Sequence, residues 1–244
     1  MKSKQWFESW FDSPYYHILY NKRDDREAKH FLDNLVSLLQ PKSDSKFLDV
    51  ACGKGRHAIY LNKKGFDVTG IDLSQSSIRH NRKYENITLS FHVHDMRNDF
   101  RKEGFDVAFN LFTSFGYFEN PEDNVKTLQA INHNLKPDGI LVLDYINSNK
   151  AKKNLVVNED CTKGGIAFKI HRKIAKGYIV KDISFHDSDL KCNYSEKVQM
   201  ISLQDFKDYF AQSGFSIIHL FGDYQLHPYD EKNSDRLIMI ARKV

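Results

Sequence analysis

Between residues 46 and 146 short apolar runs alternate with amphipathic stretches. Phe47, Leu48 and Val50 form a run suited to a strand buried on both faces. Gly53 and Gly55 follow at once, and the spacing then predicts a helix from roughly Arg56 to Lys64. Its inward face is Ala58, Ile59 and Leu61, and Gly65 closes it at the C′ position. Val68 and Ile71 mark a second strand with Asp72 at its carboxyl end. Together these make a βαβ unit, for which a right-handed crossover is expected. Ser74 is read as the N-cap of a helix reaching about Tyr84, with Ile78 inward. Ile87, Leu89, Phe91 and Val93 alternate as a third strand should, and His94, Asp95 and Met96 follow it. A fourth strand covers Phe105 to Phe112. Asn120-Pro121-Glu122-Asp123 opens a helix as N-cap, proline at N1 and acids in the first turn. Val125, Leu128, Ile131 and Leu135 form its core face, and Leu-Lys-Pro-Asp-Gly, 135–139, turns into a fifth strand.

Outside this block the pattern changes twice. Residues 1–22 carry Trp6, Phe7, Trp10, Phe11, Tyr15, Tyr16 and Tyr20. The spacing 6, 7, 10, 11 puts four rings on one helical stripe, and Ser13-Pro14 reads as the start of a second short helix. So many rings before the first strand suggest a lid rather than one flanking helix. An amphipathic helix is predicted from Asp24 to Leu39, ended by Pro41. Residues 148–200 break the alternation. Three period-2 segments, Ile166–Ile174, Tyr178–Phe185 and Leu190–Met200, read as an inserted antiparallel meander with turns at Lys176-Gly177 and Asp187–Asp189. A helix capped by Ser202 and running to about Ser213 then precedes strands at Phe215–Phe221 and Arg236–Arg242. The expected divisions are 1–45, an aromatic lid and flanking helix; 46–147, the core; 148–200, the inserted cap; and 201–244, the rest of the core.

Composition changes this picture little. At 244 residues with 41% hydrophobic content the chain can bury one sizeable α/β core. The formal charge is +4, with Lys and Arg dispersed, so no nucleic-acid partner is expected. Three separated cysteines, Cys52, Cys161 and Cys192, argue against a disulfide framework or a zinc site, and no metal is expected. Cys52 reads as a small tolerated side chain in the turn. No charged n-region with an apolar h-region is seen, and no apolar run could span a bilayer, so a soluble cytoplasmic protein is expected.

The glycines admit two readings. Gly53, Gly55 and Ala58 satisfy the loose G-x-G-x-x-A dinucleotide fingerprint. Asp49, however, lies inside the first strand, and Asp-Val-Ala-Cys-Gly-Lys-Gly-Arg, 49–56, resembles motif I of the class I S-adenosylmethionine (SAM)-dependent methyltransferases. The Leu-Lys-Pro-Asp-Gly turn is similar to that family's turn before its fifth strand. The resemblance covers 46–147 closely and 202–244 by pattern. It implies a Rossmann-like α/β fold: a seven-stranded sheet flanked by helices, the last strand antiparallel between the fifth and sixth, with the β cap inserted. SAM is the implied cofactor. By this resemblance Asp49, Ala51, Gly53 and Gly55 belong to the cofactor turn, Asp72 and Leu73 to the ribose, Asp95 and Met96 to the adenine, and Asn110, Leu111 and Tyr20 to the remaining cofactor contacts.

The methyl acceptor is expected to be a small molecule with a nitrogen or oxygen nucleophile. Tyr16, Phe112, Ser114, Phe115, Tyr117 and Tyr224 are expected to wall its pocket. The family's Asn-Pro-Pro-Tyr motif is absent after the fourth strand, which disfavours amide and adenine nitrogens. A hydroxyl acceptor needs a general base, for which Tyr117 and His227 are the candidates, with His94 behind them. The inserted sheet could also pair two copies of the chain. The rival readings are an NAD-dependent oxidoreductase, a catalytically inactive partner protein of the same fold, and an RNA methyltransferase.

Overall fold

The structure is a computed structural model describing residues 5–20, 25–188 and 190–244. Asp24, the expected start of the third helix, Lys22 and Asp189 lie outside the described residues. Two short helices open the chain, α1 (Trp6–Trp10) and α2 (Pro14–Leu19), followed by α3 (Asp25–Leu39). Ser13 caps α2, its hydroxyl accepting from the Tyr15 amide. The core then alternates: β1 (Lys46–Val50), α4 (Arg56–Lys63), β2 (Asp67–Asp72), α5 (Gln75–Asn81), β3 (Leu89–Val93), β4 (Phe105–Asn110), α6 (Glu122–Asn134) and β5 (Leu135–Ile146). After α7 (Ser148–Lys153) come β6 (Asn158–Lys163), β7 (Ile166–Ala175), β8 (Tyr178–Asp187) and β9 (Leu190–Gln199). α8 (Leu203–Gln212), β10 (Phe215–Phe221) and β11 (Arg236–Lys243) end it.

The main sheet has the order β10-β11-β5-β4-β1-β2-β3. β1 pairs in parallel with β2 and β4, and β11 runs antiparallel between β5 and β10. This is the seven-stranded arrangement the sequence led us to expect. One face of the sheet packs on α6 and α8 through Leu128, Ile131, Phe206 and Phe210. The other packs on α3, α4 and α5 through Phe31, Leu35, Ala58, Leu61 and Ile78. A second sheet, β6-β7-β8-β9, is antiparallel throughout.

Several details differ from expectation; β4 ends at Asn110 rather than Phe112, and Pro121 rather than Asn120 holds the cap position of α6. The third strand begins at Leu89, and Ile87 projects fully into solvent. The helix after β2 ends at Asn81 and continues only as a 3₁₀ turn over Arg82–Tyr84. The meander has a fourth strand, β6, whose polar Asn-Glu-Asp-Cys-Thr-Lys sequence lies at the sheet edge with little burial and so carries no period-2 signal.

The second sheet and the N-terminal helices share a core of their own. Trp10 and Leu19 pack against Phe168, Ile170, Ile183 and Phe185. Trp10 also meets Tyr194 (4.4 Å) and Tyr15 meets Phe185 (4.6 Å), and such aromatic pairs contribute about 0.5–1.5 kcal/mol each beyond their buried area. A polar clasp lies beside it. The Glu196 carboxylate accepts from Trp10 Nε1 (2.6 Å) and the Tyr20 hydroxyl (2.7 Å), and Lys181 Nζ donates to the Tyr20 oxygen. Lys181 Nζ is 3.7 Å from Glu196, and both side chains are 13% exposed. Burial pulls the Lys181 pKa down, and the Glu196 charge opposes that pull. Glu196→Gln leaves the ammonium buried without its anion. Urea unfolding should show a loss of about 2–3 kcal/mol, and limited proteolysis should release the N-terminal segment faster than in the unaltered protein.

Candidate functional site

A cavity of about 450 Å³ lies at the carboxyl ends of β1, β2 and β4, roofed by α1 and α2. Its floor is the turn after β1. Ala51, Gly53 and Gly55 all have left-handed φ, at 59°, 52° and 72°. The two glycines are required for different reasons. A Cβ on Gly53 would meet nothing within 4 Å, so the space above it is open to a ligand. A Cβ on Gly55 would lie 2.8 Å from the Phe91 ring, so that glycine serves packing. The turn is held by Asn81, whose side-chain amide donates to the Gly53 carbonyl (2.7 Å).

Two carboxylates organise this floor. Asp72 accepts from the Gly53 amide through one oxygen (2.8 Å) and from the Ser74 amide through the other (2.8 Å). It lines the cavity, and the carboxylate has acceptor capacity beyond these bonds. Asp49 is buried beneath the turn and accepts from the Ala58 amide in the first turn of α4 (3.2 Å). Burial raises its pKa from the ordinary 3.8 to about 7; the Ala58 amide opposes this and the Asp72 charge adds to it. Burial also raises Asp72, opposed by the Ser74 and Gly53 amides.

At the far end Asp95 and Met96 line the cavity. The roof adds His17, whose Nε2 is buried without a partner among the described residues. Burial lowers the His17 pKa to about 4, with Lys54 and His80 adding to the shift and Asp12 opposing it. Asp12 ties the roof to α5, its carboxylate accepting from the Ser74 hydroxyl (2.6 Å) and the Ser76 amide (2.9 Å).

The other end is aromatic. Phe112, Thr113 and Gly116 have φ of 58°, 60° and 75°, and these fold the loop after β4 back on itself. Phe112, Ser114 and Tyr117 then face the cavity, opposite Phe7, Phe11 and Tyr16 of the roof. Phe112 stacks on His57 (5.0 Å, 16°) with the Arg56 guanidinium 4.6 Å from its ring. Trp6 and Phe11 meet Tyr117 at 5.6 and 5.1 Å. The Tyr117 hydroxyl donates to the Thr113 carbonyl.

Of the residues singled out from sequence, Tyr16, Tyr20, Ala51, Gly53, Asp72, Leu73, Asp95, Met96, Leu111, Phe112, Ser114 and Tyr117 line this one cavity. Asp49, Gly55 and Asn110 lie behind its wall; the Asn110 side-chain amide donates to the Val50 carbonyl (3.2 Å). Three expected acceptor-side residues are placed elsewhere. Phe115 is fully buried, its ring 5.8 Å from Phe206, because the folded-back loop turns it into the core. Tyr224 packs on Phe31 and Phe112 and supports the wall from behind. His227 is 72% exposed and bonded to Asp223 (2.8 Å), outside the cavity. Phe7, Phe11, His17, Arg56 and His57 were not found from sequence. The helical stripe pointed to the phenylalanines' face, while nothing local marks the other three.

With this geometry in place, the chain can be compared with known proteins. Residues 20–220 match the family model described as a methyltransferase domain. The chain belongs to this methyltransferase family. The glycine/sarcosine N-methyltransferase of Aphanothece halophytica is 27% identical over 239 residues, covering 93% of this chain and 85% of that enzyme. The dTDP-3-amino-3,4,6-trideoxy-α-D-glucopyranose N,N-dimethyltransferase of Streptomyces venezuelae is 35% identical over 120 residues, 48% of each chain. The chain thus spans about half the length of this relative, and 44% of a putative methyltransferase of Bacillus subtilis. The crystal structure of an S-adenosylmethionine-dependent methyltransferase from Clostridium acetobutylicum superimposes with a TM-score of 0.78 at 17% identity, covering 94% of this chain and 96% of that one. At that identity the likeness speaks for the fold.

The Clostridium protein is described as S-adenosylmethionine-dependent, and the residues lining this cavity suit that cofactor. The cavity has the size of a ligand site. It offers open space over Gly53, a carboxylate at Asp72 and an unpartnered ring nitrogen at His17. Among the described residues no cluster of His, Cys, Asp or Glu could hold a metal, and no helix is long and apolar enough to cross a membrane.

The raised Asp49 pKa predicts a pH dependence. A carboxyl with a folded-state pKa above its unfolded value favours folding fully below about pH 3.8, and this contribution is lost as pH rises towards about 7. Asp49→Asn removes that titration. Urea midpoints should show the unaltered protein losing stability relative to Asp49→Asn between pH 4 and 7, with a constant gap above 7. A gap that does not change with pH would refute the buried-carboxyl account.

Proposed function

We propose that the protein transfers the methyl group of SAM to the nitrogen of a small-molecule amine. The observation that carries this is the aromatic acceptor end, where the two bases expected from sequence, Tyr117 and His227, are respectively bonded within the chain and outside the cavity. The Tyr117 hydroxyl is committed to the Thr113 carbonyl, the His94 ring nitrogen pairs with the Asn98 carbonyl (2.9 Å), and His227 is outside. A hydroxyl acceptor needs a base, whereas an uncharged amine attacks with its own lone pair. Nitrogen also gains positive charge as it reacts, and ring faces stabilise positive charge. The rings of Phe11, Tyr16, Phe112 and Tyr117 surround that end. The N-methyltransferases among the relatives agree with this reading.

SAM supplies an electrophilic methyl group on a sulfonium. The chain's own residues bind, orient and exclude water. Asp72 would hold the ribose hydroxyls through its remaining lone pairs, and Gly53 would let the methionyl part approach the backbone. Asp95 and Met96 would face the adenine, and Leu111 and Tyr20 would close the sides. Asp49 and Gly55 act from behind, holding the turn. Ser114 is a polar contact for the acceptor. Placing the two reactants in line can supply several kcal/mol by proximity. Within residues 1–45, α1 and α2 act as a lid and α3 as a flanking helix, and 148–200 is the cap that holds the lid. Pairing of two copies through that cap, and a cytoplasmic setting for its three free cysteines, complete the proposal.

The dinucleotide reading loses its support. The family match and the antiparallel β11 between β5 and β10 both stand against it. Calorimetric titration with S-adenosylhomocysteine should show one site, and NADH should show none. Asp72→Ala should weaken S-adenosylhomocysteine about 10- to 100-fold while the protein still melts cooperatively. Binding of NADH alone would overturn the function, and unchanged affinity in the variant would overturn the role of Asp72. Methyl transfer from labelled SAM to amines but not to alcohols of matched shape would identify nitrogen as the acceptor atom.

A further inference from the structure

Asp95 is committed within the chain to an extent the sequence does not suggest. Its Oδ1 accepts from both the Arg97 amide and Arg97 Nε, each at 3.0 Å. Its Oδ2 accepts from Arg97 Nη2 at 2.6 Å, with Nε at 3.1 Å. This is the fork-on-carboxylate geometry, in which both oxygens face one guanidinium. Nε has a single hydrogen to share between the two oxygens; counted at Oδ1, where it is nearer, it leaves Oδ1 with both lone-pair directions filled and Oδ2 with one. Arg97 is itself fixed from two further sides. Nη1 donates to Asp123 at the start of α6 (3.0 Å), and the guanidinium lies 5.0 Å from the Phe118 ring. The Arg97 and Asp95 side chains are only 18% and 23% exposed. Burial pushes the Asp95 pKa up, but the hydrogen bonds from Arg97 outweigh it and hold the carboxyl below its ordinary value.

We propose that Arg97 is a positioning residue that makes the site selective for a 6-aminopurine over a 6-oxopurine. It holds Asp95 as an ionised, acceptor-only group with a single lone pair turned to the cavity. An exocyclic amino group supplies the one donor that this lone pair takes. A 6-oxo group sets acceptor against acceptor, and its ring N1–H becomes a donor where adenine has an acceptor. A site built to receive a donor rejects the analogue that lacks it, because the buried acceptor is left unpaired. Without Arg97 nothing holds the carboxylate in this orientation, it can turn from an oxo group as readily as towards an amino group, and the selectivity falls. The inference rests on the reading of the cavity as a SAM site with Asp95 towards the adenine.

The test compares S-adenosylhomocysteine with its 6-oxo counterpart, S-inosylhomocysteine, by calorimetry at pH 7. The unaltered protein should bind the amino compound about 10- to 100-fold more tightly. In Arg97→Gln affinity for the amino compound should drop and the ratio should narrow to a few-fold, with affinity for the oxo compound held or raised. Arg97→Lys, which keeps the charge but not the fork, should fall between the two. It also serves as the test variant if Arg97→Gln gives no cooperative melt. A merely structural role would weaken both ligands equally and leave the ratio intact, which would overturn the proposal. So would a ratio near one in the unaltered protein. Binding of neither ligand to the unaltered protein would overturn the SAM reading itself, and this inference with it.

Discussion

The site depends on one buried ion pair between neighbouring antiparallel strands. Asp144 of β5 is fully buried, and Arg236 at the start of β11 donates to it through Nε (2.8 Å). A carboxylate in that position is tolerable only if its lone pairs are filled. The Phe112 amide (2.8 Å) and the Tyr224 hydroxyl (3.3 Å) fill them further, and Arg236 Nη2 reaches the Thr113 hydroxyl (2.8 Å). The Thr113 amide bonds the Asp144 carbonyl (3.1 Å). These bonds hold two non-glycine residues, Phe112 and Thr113, at left-handed φ, a conformation that costs on the order of 1 kcal/mol or more each. The strain has a result: Phe112 faces the cavity while Phe115 goes to the core. An open loop in ordinary conformations would present neither the ring stack on His57 nor the Tyr117 wall.

The roof depends on the inserted sheet in the same way that the wall depends on Asp144. Helices of five and six residues are too short to be stable alone. α1 and α2 persist because Trp10 and Leu19 are buried against β7, β8 and β9. The end of β9 also reaches the acceptor loop directly. The Gln199 amide donates to the Gly116 carbonyl (2.8 Å), and the Tyr145 hydroxyl donates to the Gln199 carbonyl (2.5 Å). Tyr178 of β8 donates to the Phe118 carbonyl (2.9 Å). Roof, cap and the loop after β4 are therefore one connected unit, joined to the glycine turn through Asp12 and α5.

Much of the core was legible because its signals are local. A strand buried on both faces needs a continuous apolar run, which Phe47, Leu48 and Val50 provide. Ser74 and Ser202 cap the helices they were read to cap, each through its hydroxyl oxygen. The cofactor-side residues cluster because they sit at the carboxyl ends of consecutive parallel strands, and that position follows from the βαβ order alone. Reading was weaker where the signal was absent. Polar β6 at a sheet edge has no buried face to show a period, and Ile87 is apolar yet fully exposed.

By itself, then, the sequence determined the order of elements from β1 to β5, the glycine turn with Asp72 beyond it, and the family, since each is written in contiguous residues. Only the tertiary structure decided which ring of Phe112-Thr113-Ser114-Phe115 turns to the cavity, because that depends on Asp144 and Arg236, 32 and 92 residues apart from their partners. It also decided that Arg97 engages Asp95, that His227 is in solvent, and that Trp10 is clasped by Glu196, 186 residues away. Periodicity assigns a residue to a face of its own element. It carries no information about which distant charge fills a lone pair, and the chemistry of this cavity is set by such pairings.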